Sequence, residues 1–216
     1  MKAIVVAGGD AASEDAVHLA DAELVIAADS GAEWLAAAGV RPDVVIGDMD
    51  SVDPVLLERL AADGVTVERH PADQDAVDAE LAVDRAVRAG ATEVLILGAM
   101  GGARLDHQLS NLLLLGDPAR PGGVLTIVNG RMTARAVHGG ESLTFAGGEG
   151  DLVSLFSVDG DALGVRTHGL RYPLEGETLP LSRSRGLSNV VLQSPASVSL
   201  EHGTLLVIET RKEQPR

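Results

Sequence analysis

Val44-Val45-Ile46-Gly47-Asp48-Met49-Asp50-Ser51 is an apolar run that stops at a glycine and delivers two carboxylates two residues apart. In extended backbone, residues i and i+2 share a side, so Asp48 and Asp50 are expected to face one point. Two like charges held that close call for a cation between them or a raised pKa on one of them. Aspartate also caps helices, and Asp53 before Pro54 fits an N-cap followed by proline at the first helical position. One cap needs one carboxylate, so the excess acid points to a hard cation with oxygen ligands, Mg²⁺ being usual where phosphates are bound. A second acidic cluster, Asp73-Gln74-Asp75-Ala76-Val77-Asp78, follows the apolar run 65–67 and opens a helical pattern. Two strand-to-helix junctions thus carry the same chemistry.

Working outward, apolar runs at 3–7, 24–28, 44–46, 65–67, 94–97 and 125–128 alternate with helical patterns at 14–20, 32–38, 54–62, 77–89 and 107–115. That alternation predicts a parallel sheet flanked by helices. Gly39, Gly64 and Gly90 stand where left-handed C-terminal caps belong. Beyond Asn129-Gly130 the texture changes to short runs rich in Val, Leu, Thr and Ser, broken by glycine turns. Strands are expected there at 133–137, 142–145, 152–157, 190–193, 196–200 and 204–209. The fold class is therefore α/β: a doubly wound, mostly parallel sheet domain over 1–129, followed by a smaller all-β sandwich domain over 130–216. Residues 211–216 read as a polar tail.

The chain of 216 residues has a formal net charge of −15 and no cysteine. A nucleic-acid partner is set aside for want of basic surface, and an anionic ligand should arrive with a metal. Disulfides, thiolate sites and a cysteine nucleophile are excluded. No apolar stretch approaches membrane-spanning length and the first strand lacks a signal-peptide pattern, so the expectation is a cytoplasmic protein with no membrane partner. The only lysines are Lys2 and Lys212, which leaves no candidate for a P-loop or Schiff-base lysine.

Ligands of a doubly wound sheet bind beyond the carboxyl ends of its strands. Gly8-Gly9-Asp10, Asp29-Ser30-Gly31, Asp48 to Ser51, Asp73 to Asp78 and Gly98 to His107 occupy five such junctions. Gly8-Gly9 lacks G-x-G-x-x-G spacing and can simply turn the chain. In Gly98-Ala99-Met100-Gly101-Gly102-Ala103-Arg104-Leu105-Asp106-His107, glycines permit close approach to a phosphate while Arg104 offers a fork of donors. Asp106 is a helix cap or a site residue, and His107 a surface residue or a catalytic one. Asp48-Met49-Asp50-Ser51-Val52 also fits the D-x-D-x-[TV] pattern of haloacid-dehalogenase phosphatases, but neither lysine is placed to serve such a site.

Nearly end to end, the chain resembles the bacterial thiamine pyrophosphokinases. The resemblance rests on Ala28-Asp29-Ser30-Gly31-Ala32, Pro42-Asp43 through Gly47 to Ser51, Asp73 to Asp78, and Gly101 to Asn111 with its Arg-Leu-Asp-His. Gly169-Leu170-Arg171-Tyr172-Pro173-Leu174 and Gly186-Leu187-Ser188-Asn189 extend it into the second half. It implies transfer of a pyrophosphoryl group from ATP to thiamine, with Mg²⁺ as cofactor, in a homodimer that binds thiamine where its subunits meet. Asp48, Asp50 and Asp78 would be the metal and catalytic carboxylates, joined by Asp106. Gly9, Asp29, Ser30, Arg104 and His107 would contact the nucleotide, and Gln74, Ser188 and Asn189 thiamine. Met49, Val77 and Val190 depart from the family pattern, the last leaving open how the thiamine pocket is finished. A same-fold pyrophosphokinase acting on another alcohol, such as a hydroxymethylpterin, and a non-catalytic nucleotide sensor are the alternatives.

Overall fold

The computed structural model describes residues 1–73, 75–119 and 124–213 and divides into two compact units. The first comprises Met1–Asn111 with Thr126–Gly130, the second Leu112–Leu125 with Arg131–Arg216.

In the first unit, β1 (Lys2–Val6), β2 (Leu24–Ala28), β3 (Val44–Gly47), β4 (Thr66–Arg69), β5 (Glu93–Leu97) and β6 (Leu125–Asn129) lie in the order β6-β5-β1-β2-β3-β4. The pairs β1–β2, β2–β3, β3–β4 and β1–β5 are parallel. Strand order therefore reverses direction at β1 and β5, where a doubly wound sheet opens its ligand crevice. Helices α1 (Gly31–Ala37), α2 (Pro54–Ala62), α3 (Asp78–Arg88) and α4 (Leu105–Leu114) follow β2, β3, β4 and β5. Ala3, Ile4, Val5 and Val6 of β1 are fully buried, as a central strand covered on both faces requires. Gly39, Gly64 and Gly90 have φ of 72°, 84° and 93°, and Asp53 accepts the Val55 N–H at 3.0 Å with Pro54 opening α2.

One expected helix is different in kind. Residues 14–20 fall within a 3₁₀ helix, Ser13–Asp21. Within it the Asp15 carboxylate is buried and accepts N–H groups from Ala12, just before the segment, and from Gly130, just after β6.

The second unit is a sandwich of two antiparallel sheets. One has β7 (Met132–His138), β9 (Leu152–Ser157), β12 (Asn189–Val190) and β14 (Thr204–Thr210) in the order β12-β9-β14-β7. The other has β8 (Ser142–Thr144), β10 (Ala162–His168), β11 (Glu175–Leu179) and β13 (Ser197–Ser199) in the order β11-β10-β13-β8. A core including Val137, Leu155, Val165, Val198 and Leu205 fills the space between them. Strands β10 and β11 correct the sequence expectation, which had no strand between 157 and 190. Gly164 (φ 67°) and Gly176 (φ 89°) break their alternation, and the β10–β11 register shifts on either side of Val165. The strand expected at 190–193 shrinks to Asn189–Val190, with Val191 in a single bridge to Leu170. Glu209, at the end of β14, is buried against Arg135 and accepts the Ala146 and Gly147 N–H groups at 2.7 and 3.1 Å.

Candidate active site

A cavity of about 460 Å³ opens at the carboxyl ends of β1, β2, β3 and β5 in the first unit. Asp29, Asp48 and Asp78 each offer a carboxylate oxygen there, all within 4.8 Å of one another. Each comes from a different element: Asp29 follows β2, Asp48 follows β3, and Asp78 begins α3. Gly47 makes the meeting possible. Its φ of 144° lies outside the range of ordinary L-residues, and a β-carbon there would sit 3.0 Å from Asp78 Cγ and Oδ1 and 3.3 Å from Asp29 Cβ.

Asp29 is the most confined of the three. It is 7% exposed, holds φ at 47°, and its Oδ1 has no hydrogen-bond partner. Burial raises its carboxyl above the ordinary value and the charges of Asp50 and Asp48 act the same way, opposed in part by the nearby Ser51 side chain and the Ser30 backbone. Three acids converging on one point, with an orphaned buried oxygen among them, fit a hard divalent cation.

Asp50 lines the cavity but stands outside this trio. Asp48 and Asp50 are not related as i and i+2 of an extended strand, because Met49 between them is left-handed at φ 65°. The Asp50 N–H donates to Asp48 Oδ1 at 3.1 Å, and Asp50 Oδ1 accepts the Ser51 hydroxyl at 2.6 Å. Asp75 is exposed, and Gln74 lies outside the described residues.

The opposite side of the cavity is the glycine turn after β5. Gly98, Gly101 and Gly102 have φ of 63°, 84° and 73°. Gly9 needs its missing side chain for contact: a β-carbon would sit 2.5 Å from the Gly98 and Met100 carbonyl oxygens. The turn's amides are already engaged, Gly101 N–H with Gln108 Oε1 at 3.1 Å and Gly102 N–H with Asp10 Oδ2 at 2.9 Å. Arg104 stands just beyond this turn, before α4. Asp106 accepts from Arg104 Nε at 3.0 Å and Nη2 at 2.7 Å, which leaves Nη1 of the fork for a ligand. Those bonds hold the Asp106 carboxyl well below the usual range. Ser30 and His107 also line the cavity.

In the second unit, Asn189 is buried and its carboxamide brackets one residue, accepting the Tyr172 N–H at 3.0 Å and donating to the Tyr172 carbonyl at 2.7 Å. Ser188 is exposed, with φ at 57° and its N–H on Ser154 Oγ at 3.1 Å. Asn111, on α4, is a cavity residue to which the sequence alone assigned no role; its place at the end of the segment Gly101 to Asn111 was the available signal.

Neutralising one acid should relieve the repulsion. Asp29→Asn, which tolerates φ of 47°, is expected to raise the melting temperature of metal-free protein by a few degrees, about 1 kcal/mol, and to remove any stabilisation by millimolar Mg²⁺. Differential scanning calorimetry with and without Mg²⁺ checks both; a destabilised variant that still gains from Mg²⁺ contradicts the assignment.

Comparison with known proteins meets this geometry. The model of the thiamin pyrophosphokinase catalytic domain matches residues 17–123, which contain the whole carboxylate trio, and that of the thiamin pyrophosphokinase vitamin B1 binding domain matches 142–205. A thiamine pyrophosphokinase of Bacillus subtilis is 28% identical over 195 residues, covering 87% of each chain. Thiamine pyrophosphokinase 1 of rice is 26% identical over 79% of this chain and 67% of its own. Among solved structures, a Bacillus subtilis thiamine pyrophosphokinase superposes with a TM-score of 0.86 at 24% identity, over 99% of this chain and 100% of that one. One from Geobacillus thermodenitrificans does so with 0.81 at 27% identity, over 99% of both. With both domain models matched in order, the chain belongs to the thiamine pyrophosphokinase family.

Proposed function

We propose that the chain transfers the pyrophosphoryl group of ATP to the hydroxyl of thiamine, giving thiamine diphosphate and AMP. The observation that carries this reading is the convergence of Asp29, Asp48 and Asp78 inside the segment matched by the catalytic-domain model. The match to a vitamin B1 binding domain over 142–205 favours thiamine over a pterin as acceptor. The carboxylate trio favours turnover over passive sensing, since such a costly array serves a metal-centred reaction.

The acids would hold Mg²⁺, with Asp50 lining the same cavity. When bound, the metal supplies positive charge to the phosphate oxygens. Arg104, braced by Asp106, directs its unengaged Nη1 donors to the same oxygens. The hydroxyl oxygen of thiamine forms a bond to the β-phosphorus as the bond from that phosphorus to the oxygen bridging it to the α-phosphorus breaks. AMP leaves with that oxygen, and the hydroxyl proton passes to a carboxylate of the rim. The fixed strand ends contribute position and field in place of covalent catalysis. A cytoplasmic homodimer completes the reading, and sedimentation of active protein as only a 22.3 kDa species would count against the dimer.

Incubation with ATP, Mg²⁺ and thiamine should yield AMP and thiamine diphosphate in equal amounts, read by chromatography. Formation of ADP and thiamine monophosphate contradicts the bond choice. Asp48→Asn should lower kcat by about two orders of magnitude or more with the fold retained; near-normal turnover would remove Asp48 from the chemistry.

A further inference from the structure

Asn111 is 6% exposed and lines the cavity from α4, the helix that begins beside Arg104 and also carries His107 and Gln108. Its Nδ2 donates to the Ala99 carbonyl at 2.8 Å. A carbonyl oxygen only accepts, so the carboxamide orientation is fixed, with Nδ2 on Ala99 and Oδ1 as the remaining group. Oδ1 is buried with no hydrogen-bond partner. The two neighbouring amides of the glycine turn cannot serve it, being engaged by Gln108 and Asp10. Buried acceptors in folded proteins are satisfied as a rule, and because Asn111 is a wall residue of the cavity, a molecule filling that cavity is a source of the missing donor.

We propose that Asn111 Oδ1 accepts a hydrogen bond from the nucleoside part of ATP and thereby sets how the nucleotide lies in the site. This rests on the nucleotide reading above. At neutral pH phosphate oxygens chiefly accept, so they are the wrong partners for Oδ1. The donors that ATP offers are the ribose hydroxyls and the exocyclic amine of adenine. Asn111 belongs to the β1–β5 side of the cavity, the crevice where a doubly wound sheet receives a nucleotide. Its bond to Ala99 at the same time holds the glycine turn to α4, so one side chain links the shape of the turn to the identity of the nucleoside.

The test is equilibrium binding of the full chain, with Mg²⁺, to ATP, 2′-deoxyATP, 3′-deoxyATP and purine riboside triphosphate, which lacks the exocyclic amine. For the native protein one analogue is expected to bind about tenfold more weakly than ATP, and the analogue affected identifies the donor. In Asn111→Leu or Asn111→Ala, whichever keeps native melting, that gap should close to about twofold or less, while the KM for thiamine changes little. Equal binding of all four nucleotides by native protein overturns the inference without any variant. It is also overturned if the gap persists in a folded variant, which would leave Oδ1 to a buried water, or if the variants raise the KM for thiamine and spare ATP. No binding of ATP at all would instead sink the proposed function.

Discussion

Three carboxylates held within one contact distance repel, and a folded chain keeps them there only if its backbone leaves them no alternative. In this chain the constraint is Gly47. With φ at 144° and no side chain, it lets β3 end against Asp78 and Asp29, so that Asp48 joins them from the next position. The surrounding architecture serves the same end. Parallel strands buried on both faces set the positions of their termini, and the acids sit on those termini or on the first residue of a helix. An array fixed in this way needs no rearrangement when positive charge enters it, which is the electrostatic preorganisation that phosphoryl-group chemistry demands.

The other buried acids sharpen the contrast. Asp15 is 1% exposed and Glu209 4%, but both are saturated, the first by the N–H groups of Ala12 and Gly130, the second by Arg135, Ala146 and Gly147. They close a turn and brace a sheet. Asp29 is comparably buried, yet one of its oxygens is left open. The three acids differ in whether partners were provided, with burial alike in all of them.

Much of the fold was legible because its signals are local. Strand and helix periods alternate through the first unit, and each glycine placed as a cap is left-handed. What was lost depended on backbone that sequence patterns do not announce. Asp48 and Asp50 obey an i, i+2 rule only in extended chain, and Met49 at φ 65° removes that premise. Asp29, expected beside the nucleotide, also lies with the acids because β2 and β3 are adjacent in parallel, a pairing that no local pattern along the chain announces. Strands β10 and β11 escaped because Gly164 and Gly176 interrupt alternation at the places where the sheet tolerates a bulge or a bend. Asn111 stood at the end of a segment that carries the resemblance, with nothing local to give it a role, and Gln74, expected to contact thiamine, lies outside the described residues.

The convergence of Asp29, Asp48 and Asp78, permitted by Gly47, has the donor set of a divalent-cation site. Electron paramagnetic resonance titration with Mn²⁺ as a probe of that site, comparing native protein with Gly47→Ala, tests it directly. One bound ion per chain is expected in the native protein, with a loss of affinity of at least about tenfold in a Gly47→Ala protein whose circular dichroism is unchanged, because the added methyl group presses on Asp78 and Asp29. Equal Mn²⁺ affinity in the two proteins would contradict it.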